Sequence, residues 1–204
     1  LASCIERGTL KNGILLGKAT SMERVRPRAA FRIKPAEELS LSLAGNEYES
    51  VQLIVAPFTN DLEDVRVELA GRLVCGMSEI PRENVQIVPV GFVKTQSPES
   101  RWKLPDKPLS GWWPDPLLDF PFKLDIRDKD VQSFWIRVHA RSAERPGVYR
   151  SKVRISANGS VAAEVPIKVR VRGYSLPKGF PLPTLTSCSV PDAQFMEKYL
   201  IYRN

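Results

Sequence analysis

The segment GVYRSKVRISANGSVAAEVPIKVRVRGYSL, residues 147–176, decides the fold class. Apolar and charged residues alternate on both sides of Asn158-Gly159, with Val153 and Ile155 on one face of the first half and basic residues on the other. Such alternation is typical of an antiparallel strand with one buried and one hydrated face. Asn-Gly tolerates the positive φ that both central residues of a type I′ turn require. The segment therefore predicts a β-hairpin.

Other segments of the chain show the same strand character, and almost none shows a helical pattern. Turn residues separate most of these segments, and their spacing suits a sandwich of two sheets. We therefore predict an all-β fold, an antiparallel two-sheet β-sandwich that spans residues 14–176. The further predicted strands are 13–19, 38–44, 49–57, 64–70, 85–95 and 133–141.

The net charge of +7 raises the question of a nucleic-acid partner, because lysine and arginine neutralise phosphates. The basic residues of the predicted hairpin lie on its hydrated face, however, and no aromatic residues stand between them to stack on bases. No apolar run approaches the roughly 20 residues of a membrane-spanning helix. We expect neither a nucleic-acid partner nor a membrane span.

Residues that commonly hold metals or act as nucleophiles are sparse and scattered. Cys4, Cys75 and Cys188 are odd in number and far apart, which fits neither a disulfide framework nor a zinc site. His139 is the only histidine and lies in the alternating strand FWIRVHARS. We therefore expect no metal site and no cofactor.

Two pairs of carboxylates stand two residues apart, Glu47 with Glu49 and Asp128 with Asp130. A glycosidase needs two carboxyl groups about 5–10 Å apart across a sugar-sized cleft. Residues two apart on one strand lie side by side and not across a substrate. We interpret the first pair as hydrogen-bonding groups at a strand start and the second as solvated turn charges, and we expect no catalytic residue in this chain.

Residues 96–121 break the strand pattern. This stretch holds six of the 17 prolines and three of the four tryptophans, and it contains the motif GWWPDPLL at 111–118. A loop of this length in a compact domain is usually functional or is covered by another part of the molecule. The candidate site of the chain is therefore expected in this stretch.

The candidate site residues are Trp112, Trp113 and Asp115. Pro114 and Pro116 fix φ and push the residues before them toward extended conformations, so this loop can hold its shape without a strand partner. Adjacent side chains on an extended segment point in opposite directions, whereas a coplanar sugar platform needs both rings on one side. We predict a rigid clasp to a second domain, with Asp115 accepting hydrogen bonds from loop N–H groups. A sugar contact and assistance to catalysis stay open as alternatives.

The two ends of the chain differ in composition from the predicted sandwich. Residues 177–183 read as a proline-rich linker, and 184–204 as a strand and an amphipathic helix that begin a second, α/β domain. Residues 1–13 form a lead-in segment. Its LASC is similar to the end of a bacterial lipoprotein signal, which would acylate Cys4 at a cell surface, but no hydrophobic run precedes it, which favours a cut fragment.

Several motifs in one order carry a resemblance to a known family. AGNEYESVQLIVAP (44–57), WPDPLL (113–118) with FWIRVHARSAERPGVYRSKVRI (134–155), and VPIKVRVRGYSLP (165–177) resemble the amino-terminal β-sandwich associated with glycoside hydrolase family 123 and its uncharacterised relatives. The resemblance covers about residues 14–190. It implies that a (β/α)8 barrel follows the sandwich, so that 184–204 would be the first strand and helix of a truncated barrel.

The resemblance also implies a function for the parent protein. Characterised members of the family remove terminal N-acetylgalactosamine with an Asp-Glu pair of the barrel, and no position of this sequence matches that pair. The resulting expectation is a non-catalytic accessory domain that docks on the barrel of the same parent chain. The alternative is a carbohydrate-binding module that contacts glycan through the Trp-rich loop.

Overall fold

The computed structural model describes residues 10–27, 34–95 and 111–179. Thirteen strands are found in these ranges, and a short 3-10 helix, Arg82–Asn84, precedes the ninth. In chain order they are β1 (Leu10–Lys11), β2 (Ile14–Thr20), β3 (Lys34–Pro35), β4 (Leu39–Gly45), β5 (Glu47–Pro57), β6 (Arg66–Leu69), β7 (Leu73–Cys75), β8 (Ser78–Ile80), β9 (Val85–Thr95), β10 (Gly111–Leu117), β11 (Gln132–Ala140), β12 (Gly147–Ala157) and β13 (Ser160–Ser175).

The strands form two sheets that enclose one apolar core. The first sheet has the order β1-β2-β5-β11-β9-β10, with β3 beside β2. The second has the order β4-β13-β12-β7-β8, with β6 beside β12. Alternate residues of both sheets supply the core, among them Leu53 of β5, Ile136 of β11 and Val153 of β12. The prediction of an all-β fold with two sheets is confirmed.

The hairpin at the end of the sandwich is also confirmed. Strands β12 and β13 pair antiparallel from Gly147 opposite Val171 to Ala157 opposite Ser160. Asn158 and Gly159 between them have φ of 53° and 74°, which is the conformation that a type I′ turn requires.

The strand directions differ from the prediction in one place. Strand β13 pairs with β4 in parallel, with Leu39 opposite Ile167, so the second sheet is mixed. The reason lies at Gly45–Asn46, where the chain leaves β4 and crosses directly into β5 of the other sheet. Because no hairpin connects β4 to its neighbour β13, nothing forces the two strands to run in opposite directions.

The Trp-Pro segment is a strand, and the prediction of an irregular loop over 111–117 was wrong. Strand β10 pairs antiparallel with β9, with Trp113 opposite Val93 and Pro114 opposite Phe92. Proline has no N–H for a sheet ladder, but an edge strand tolerates it, and β10 is an edge strand within the part of the chain that the structure describes. Residues 96–110 lie outside the described residues.

Most residues of the two predicted end segments lie outside the described ranges. The structure covers the lead-in only from Leu10 and the linker only to Gly179. The predicted strand and helix over 184–204 lie outside the described residues, so the second domain stays a prediction. No helix in the described part of the chain has the length and apolar character that would let it cross a membrane.

Candidate functional site

The tryptophan surface consists of Trp112, Trp113 and Asp115 on strand β10. In the antiparallel register Trp112 lies opposite Lys94 and Trp113 lies opposite Val93. Successive side chains of a strand point to opposite sides, and the two rings differ accordingly in their surroundings. The side chain of Trp112 is 41% exposed, whereas Trp113 is half-buried. The two rings therefore do not form a single flat platform.

Two arginines cover the ring of Trp113. The guanidinium carbon of Arg26 lies 3.8 Å from the ring centroid, and that of Arg24 lies 5.5 Å away. A guanidinium at this distance is attracted by the negative face of the ring and contributes about 0.5–1 kcal/mol at an exposed site, or about 2 kcal/mol when desolvated. One face of Trp113 is thus occupied from within the chain.

The arginines belong to segment 20–27, which follows β2 and is fixed to the sheet by a buried amide. The Gln52 amide donates hydrogen bonds to the carbonyl oxygens of Thr20, at 2.7 Å, and Glu23, at 2.8 Å. Val25 of the same segment is buried and packs with Ala19 and Ile54. The segment is therefore held by both polar and apolar contacts, and it presents Arg24 and Arg26 to the tryptophan surface.

Glu23 of segment 20–27 forms an ion pair with Lys34. Glu23 accepts hydrogen bonds from Nζ of Lys34, at 2.8 Å, and from the backbone N–H of Thr20, at 2.6 Å. The Lys34 ammonium, followed by the Thr20 N–H, lowers the pKa of Glu23 to about 2. Both partners stabilise the charged carboxylate.

Asp115 is an exposed residue of β10 between two prolines. The residue next to it, Pro116, packs against β9 together with Leu118. A Cβ atom placed on Gly91 of β9 would lie 2.9 Å from Cγ of Pro116 and 2.9 Å from Cδ2 of Leu118. Gly91 therefore permits the close approach of the Pro-Asp-Pro segment. The predicted hydrogen-bonding role of Asp115 stays a prediction.

A second surface, which the sequence did not predict, lies at the opposite end of β9. We call it the exit-end groove. Tyr48 of β5 stands directly opposite His139 of β11, and the two rings stack with centroids 4.1 Å apart and planes inclined by 12°. Arg137 lies diagonally, with its guanidinium carbon 5.5 Å from the Tyr48 centroid. Tyr48 and His139 come from positions far apart in the sequence, so only the strand register brings them together.

Polar groups complete the exit-end groove. Its volume is about 360 Å³, and it is open to solvent. The Asn84 amide donates to the carbonyl oxygen of His139 at 3.2 Å, which joins the 3-10 helix to β11. The groove thus combines an aromatic side chain that is 61% exposed with a charged and polar rim. Its lining residues are Tyr48, Glu83, Asn84, Val85, Gln86, Arg137 and His139.

Glu47 and Glu49 have the hydrogen-bonding surroundings that the sequence predicted, whereas Asp130 of the second pair is half-buried and not fully solvated. Glu47 accepts a hydrogen bond from the N–H of Ala44 at 2.6 Å, and Glu49 accepts one from the N–H of Ser50 at 2.8 Å. Asp128 is exposed, at a turn between β10 and β11. No group of three metal-binding side chains occurs within residues 10–27, 34–95 and 111–179.

Comparisons with known proteins rest on structure alone, since no family profile and no curated protein matches this sequence. A family 123 glycoside hydrolase from Clostridium perfringens, studied for glycolipid glycan hydrolysis, matches over 80% of this chain with a TM-score of 0.63 and 11% identity. The match covers 28% of the hydrolase chain. This chain therefore spans much less than the whole length of that protein.

Two further matches have lower scores. A PapD-like domain of human CEP192 matches over 79% of this chain and 87% of its own length, with 8% identity and a TM-score of 0.38. The sialic acid binding region of a Streptococcus sanguinis adhesin matches over 74% of this chain and 30% of its own, with 12% identity and a TM-score of 0.34. Scores below 0.5 do not establish a common fold. The chain thus shares a fold, distantly, with a portion of a family 123 glycoside hydrolase.

Proposed function

We propose that this chain is the non-catalytic accessory β-sandwich of a larger protein with a glycosidase-type (β/α)8 barrel. One observation carries the proposal: most of this chain superposes on about a quarter of the hydrolase from C. perfringens with a TM-score of 0.63. That protein acts on glycolipid glycans. By this proposal the rest of the parent protein supplies the chemistry, and the sandwich supports it. The parent would be an exo-acting N-acetylgalactosaminidase.

The surroundings of the carboxylates support a non-catalytic role. Glu47 and Glu49 accept backbone hydrogen bonds at a strand start, and Asp61 pairs with Arg127 at 2.8 Å. Arg127 lowers the pKa of Asp61, so this carboxylate stays ionised and is a poor general acid. A glycosidase needs one carboxyl group with a raised pKa next to a second carboxylate. Asp61, whose pKa is lowered, does not meet that requirement.

Under this proposal the tryptophan surface is a contact between the sandwich and the barrel. Trp113 is anchored beneath Arg26 within the chain, and Trp112, on the opposite side of the strand, reaches toward solvent. This division matches a clasp in which one ring is fixed and the other meets a partner. The exposure of Trp112 also favours the alternative, a carbohydrate-binding module, because a single exposed ring can stack on one sugar.

The test uses Trp112→Ala and Trp113→Ala, made separately in the parent protein. For a clasp we expect kcat/KM to be largely kept and the melting temperature to fall by several degrees, about 2–4 °C for each kcal/mol lost in a domain of this size. Met77→Ala is the control, because Met77 is fully exposed on the other sheet. A stable enzyme with a raised KM would show that the surface touches substrate.

A titration separates the accessory domain from the binding module. N-acetylgalactosamine and longer glycans are added to the 204-residue chain while tryptophan fluorescence is measured. Saturable binding that Trp112→Ala abolishes would favour the module. The accessory role would be favoured if no glycan binds and if the tryptophan variants of the parent lose the docking between the sandwich and the barrel.

A further inference from the structure

The path by which the chain leaves the sandwich is fixed by hydrogen bonds. The N–H of Leu176 donates to the carbonyl of Gly45 at 2.8 Å. The Asn46 amide donates to the carbonyl oxygens of Leu176, at 3.3 Å, and Pro177, at 3.2 Å. Ser175 donates through its hydroxyl to the carbonyl of Ser142 at 2.7 Å. These bonds hold residues 175–177 across the turn that joins the two sheets.

The exit-end groove lies beside this path. The N–H of Asn46 also donates to the carbonyl of Ala140 at 2.7 Å, and Ala140 follows His139 in β11. Tyr48 comes two residues after Asn46 in β5. Two more exposed apolar side chains, Tyr174 and Leu176, belong to the departing chain itself. Three exposed apolar side chains, Tyr48, Tyr174 and Leu176, thus lie at the end of the sandwich from which the chain departs.

The tryptophan surface is far from this exit. Val85 lies opposite Val138, next to His139, whereas Lys94 lies opposite Trp112. Nine residues of β9 separate these two positions, which at about 3.3 Å per residue places them roughly 30 Å apart. A domain that continues from Pro177 meets the exit-end groove first.

We infer that the chain following Gly179 in the parent protein packs on the exit-end groove. This inference rests on the proposed function, since it requires a domain after the sandwich, and it adds a second contact face to the tryptophan surface. The short tether through Pro177 keeps the following chain at a high effective concentration beside the groove. The occupant has an apolar side chain over the exposed part of Tyr48 and an acidic or amide group toward Arg137. Residues 180–204 supply such groups, among them Phe195, Met196 and Glu197.

The ring contacts favour a polypeptide over a sugar in this groove. A sugar stacks on an open aromatic face, but His139 stacks on one face of Tyr48 at 4.1 Å. Arg137 approaches the same ring, so part of the ring is already covered from within the chain. Aromatic edges and a charged rim are common where one protein surface packs on another.

Photo-crosslinking in the parent protein tests the inference. The variant Tyr48→p-benzoylphenylalanine keeps an aromatic ring at an exposed position and adds a light-activated group. We expect its crosslinks, mapped by mass spectrometry, to reach peptides after residue 179, with a yield at least about tenfold above the control at Met77, because a tethered partner is held at a high effective concentration. A second variant carries the same group at Trp112.

The outcomes separate the inference from the proposed function. Crosslinks to the following domain from position 112 but not from position 48 would overturn the inference and leave an accessory domain that docks through the tryptophan surface. If neither position gives crosslinks to the following domain, both the inference and the proposed docking function are overturned. Capture of an added N-acetylgalactosamine oligosaccharide at position 48 would assign the groove to sugar and also overturn the inference.

A substitution provides an independent measurement. Tyr48→Arg in the parent should separate the unfolding of the sandwich from that of the following domain, because it places a second cation beside Arg137. Met77→Arg should leave the two transitions coupled. Identical calorimetric profiles for the two variants would contradict the docking.

Discussion

Replacing Gln52 by alanine should destabilise the sandwich more than any change on its hydrated faces. Gln52 is only 2% exposed, and its amide makes three hydrogen bonds. It donates to the carbonyl oxygens of Thr20 and Glu23 and accepts from the hydroxyl of Ser133 at 2.7 Å. The first two bonds hold segment 20–27 on the sheet, and through that segment they place Arg26 on Trp113.

The expected loss follows from the environment of each partner. The carbonyls of Thr20 and Glu23 lie at a partly buried site and regain water when the amide is removed, so each bond costs about 1 kcal/mol. Ser133 is completely buried, so its hydroxyl is left unsatisfied at a cost of about 1–3 kcal/mol. The sum for Gln52→Ala is about 3–5 kcal/mol, a large part of the roughly 5–15 kcal/mol by which a domain is stable.

Urea unfolding followed by tryptophan fluorescence measures this loss. Ser133→Ala is the matched control, because it removes only the third bond and should cost about 1–2 kcal/mol. The double variant should lose less than the sum of the two single losses, since both remove the same bond. A loss below about 1 kcal/mol for Gln52→Ala would refute the reasoning.

Two further changes test other parts of the sandwich. Gly91→Ala should destabilise by about 1–3 kcal/mol through overpacking against Leu118, whereas Gly173→Ala, with no atom within 4 Å of the added Cβ, should be close to neutral in the same urea titration. Because Lys34 and the local N–H lower the pKa of Glu23 from 4.5 to about 2, the contribution of this carboxylate to stability is complete above pH 4.5 and is lost as the pH falls toward 2. Glu23→Gln should therefore flatten the fall in melting temperature across that pH range, and an unchanged slope would contradict the assignment.

The long strands could be predicted because their sequence pattern and their environment agree. Strands β9 and β12 have the predicted bounds, 85–95 and 147–157, since their apolar residues alternate or run continuously between turn residues. The short strands β7 and β8, three residues each, were missed because they are too short to show a period. Strand β10 was missed because its prolines argue against a central strand and give no information about an edge.

The two candidate surfaces also differ in how much of them the sequence reveals. The sequence singles out Trp112, Trp113 and Asp115 as candidates because they are close together and the tryptophans are rare in type. The contact of Arg26 with Trp113 could not be predicted, because it depends on how segment 20–27 folds over the sheet. The stacking of Tyr48 on His139 depends on the register between β5 and β11. The sequence of one strand shows which side chains point outward. It does not show which residue of the neighbouring strand lies beside them.

The parallel contact between β4 and β13 has a consequence for the order of events during synthesis. Among the described strands, β4 has no partner within its own sheet except β13, and β13 is the last of these strands to leave the ribosome. The hairpin of β12 and β13 is local and closes quickly, whereas joining β4 to it closes a loop of more than a hundred residues and carries the greater entropic cost. We therefore expect a nascent chain to expose the apolar face of β4 until residue 171 has emerged. The sandwich then completes itself just as the segment after Gly179 becomes available, so that segment emerges beside a finished surface.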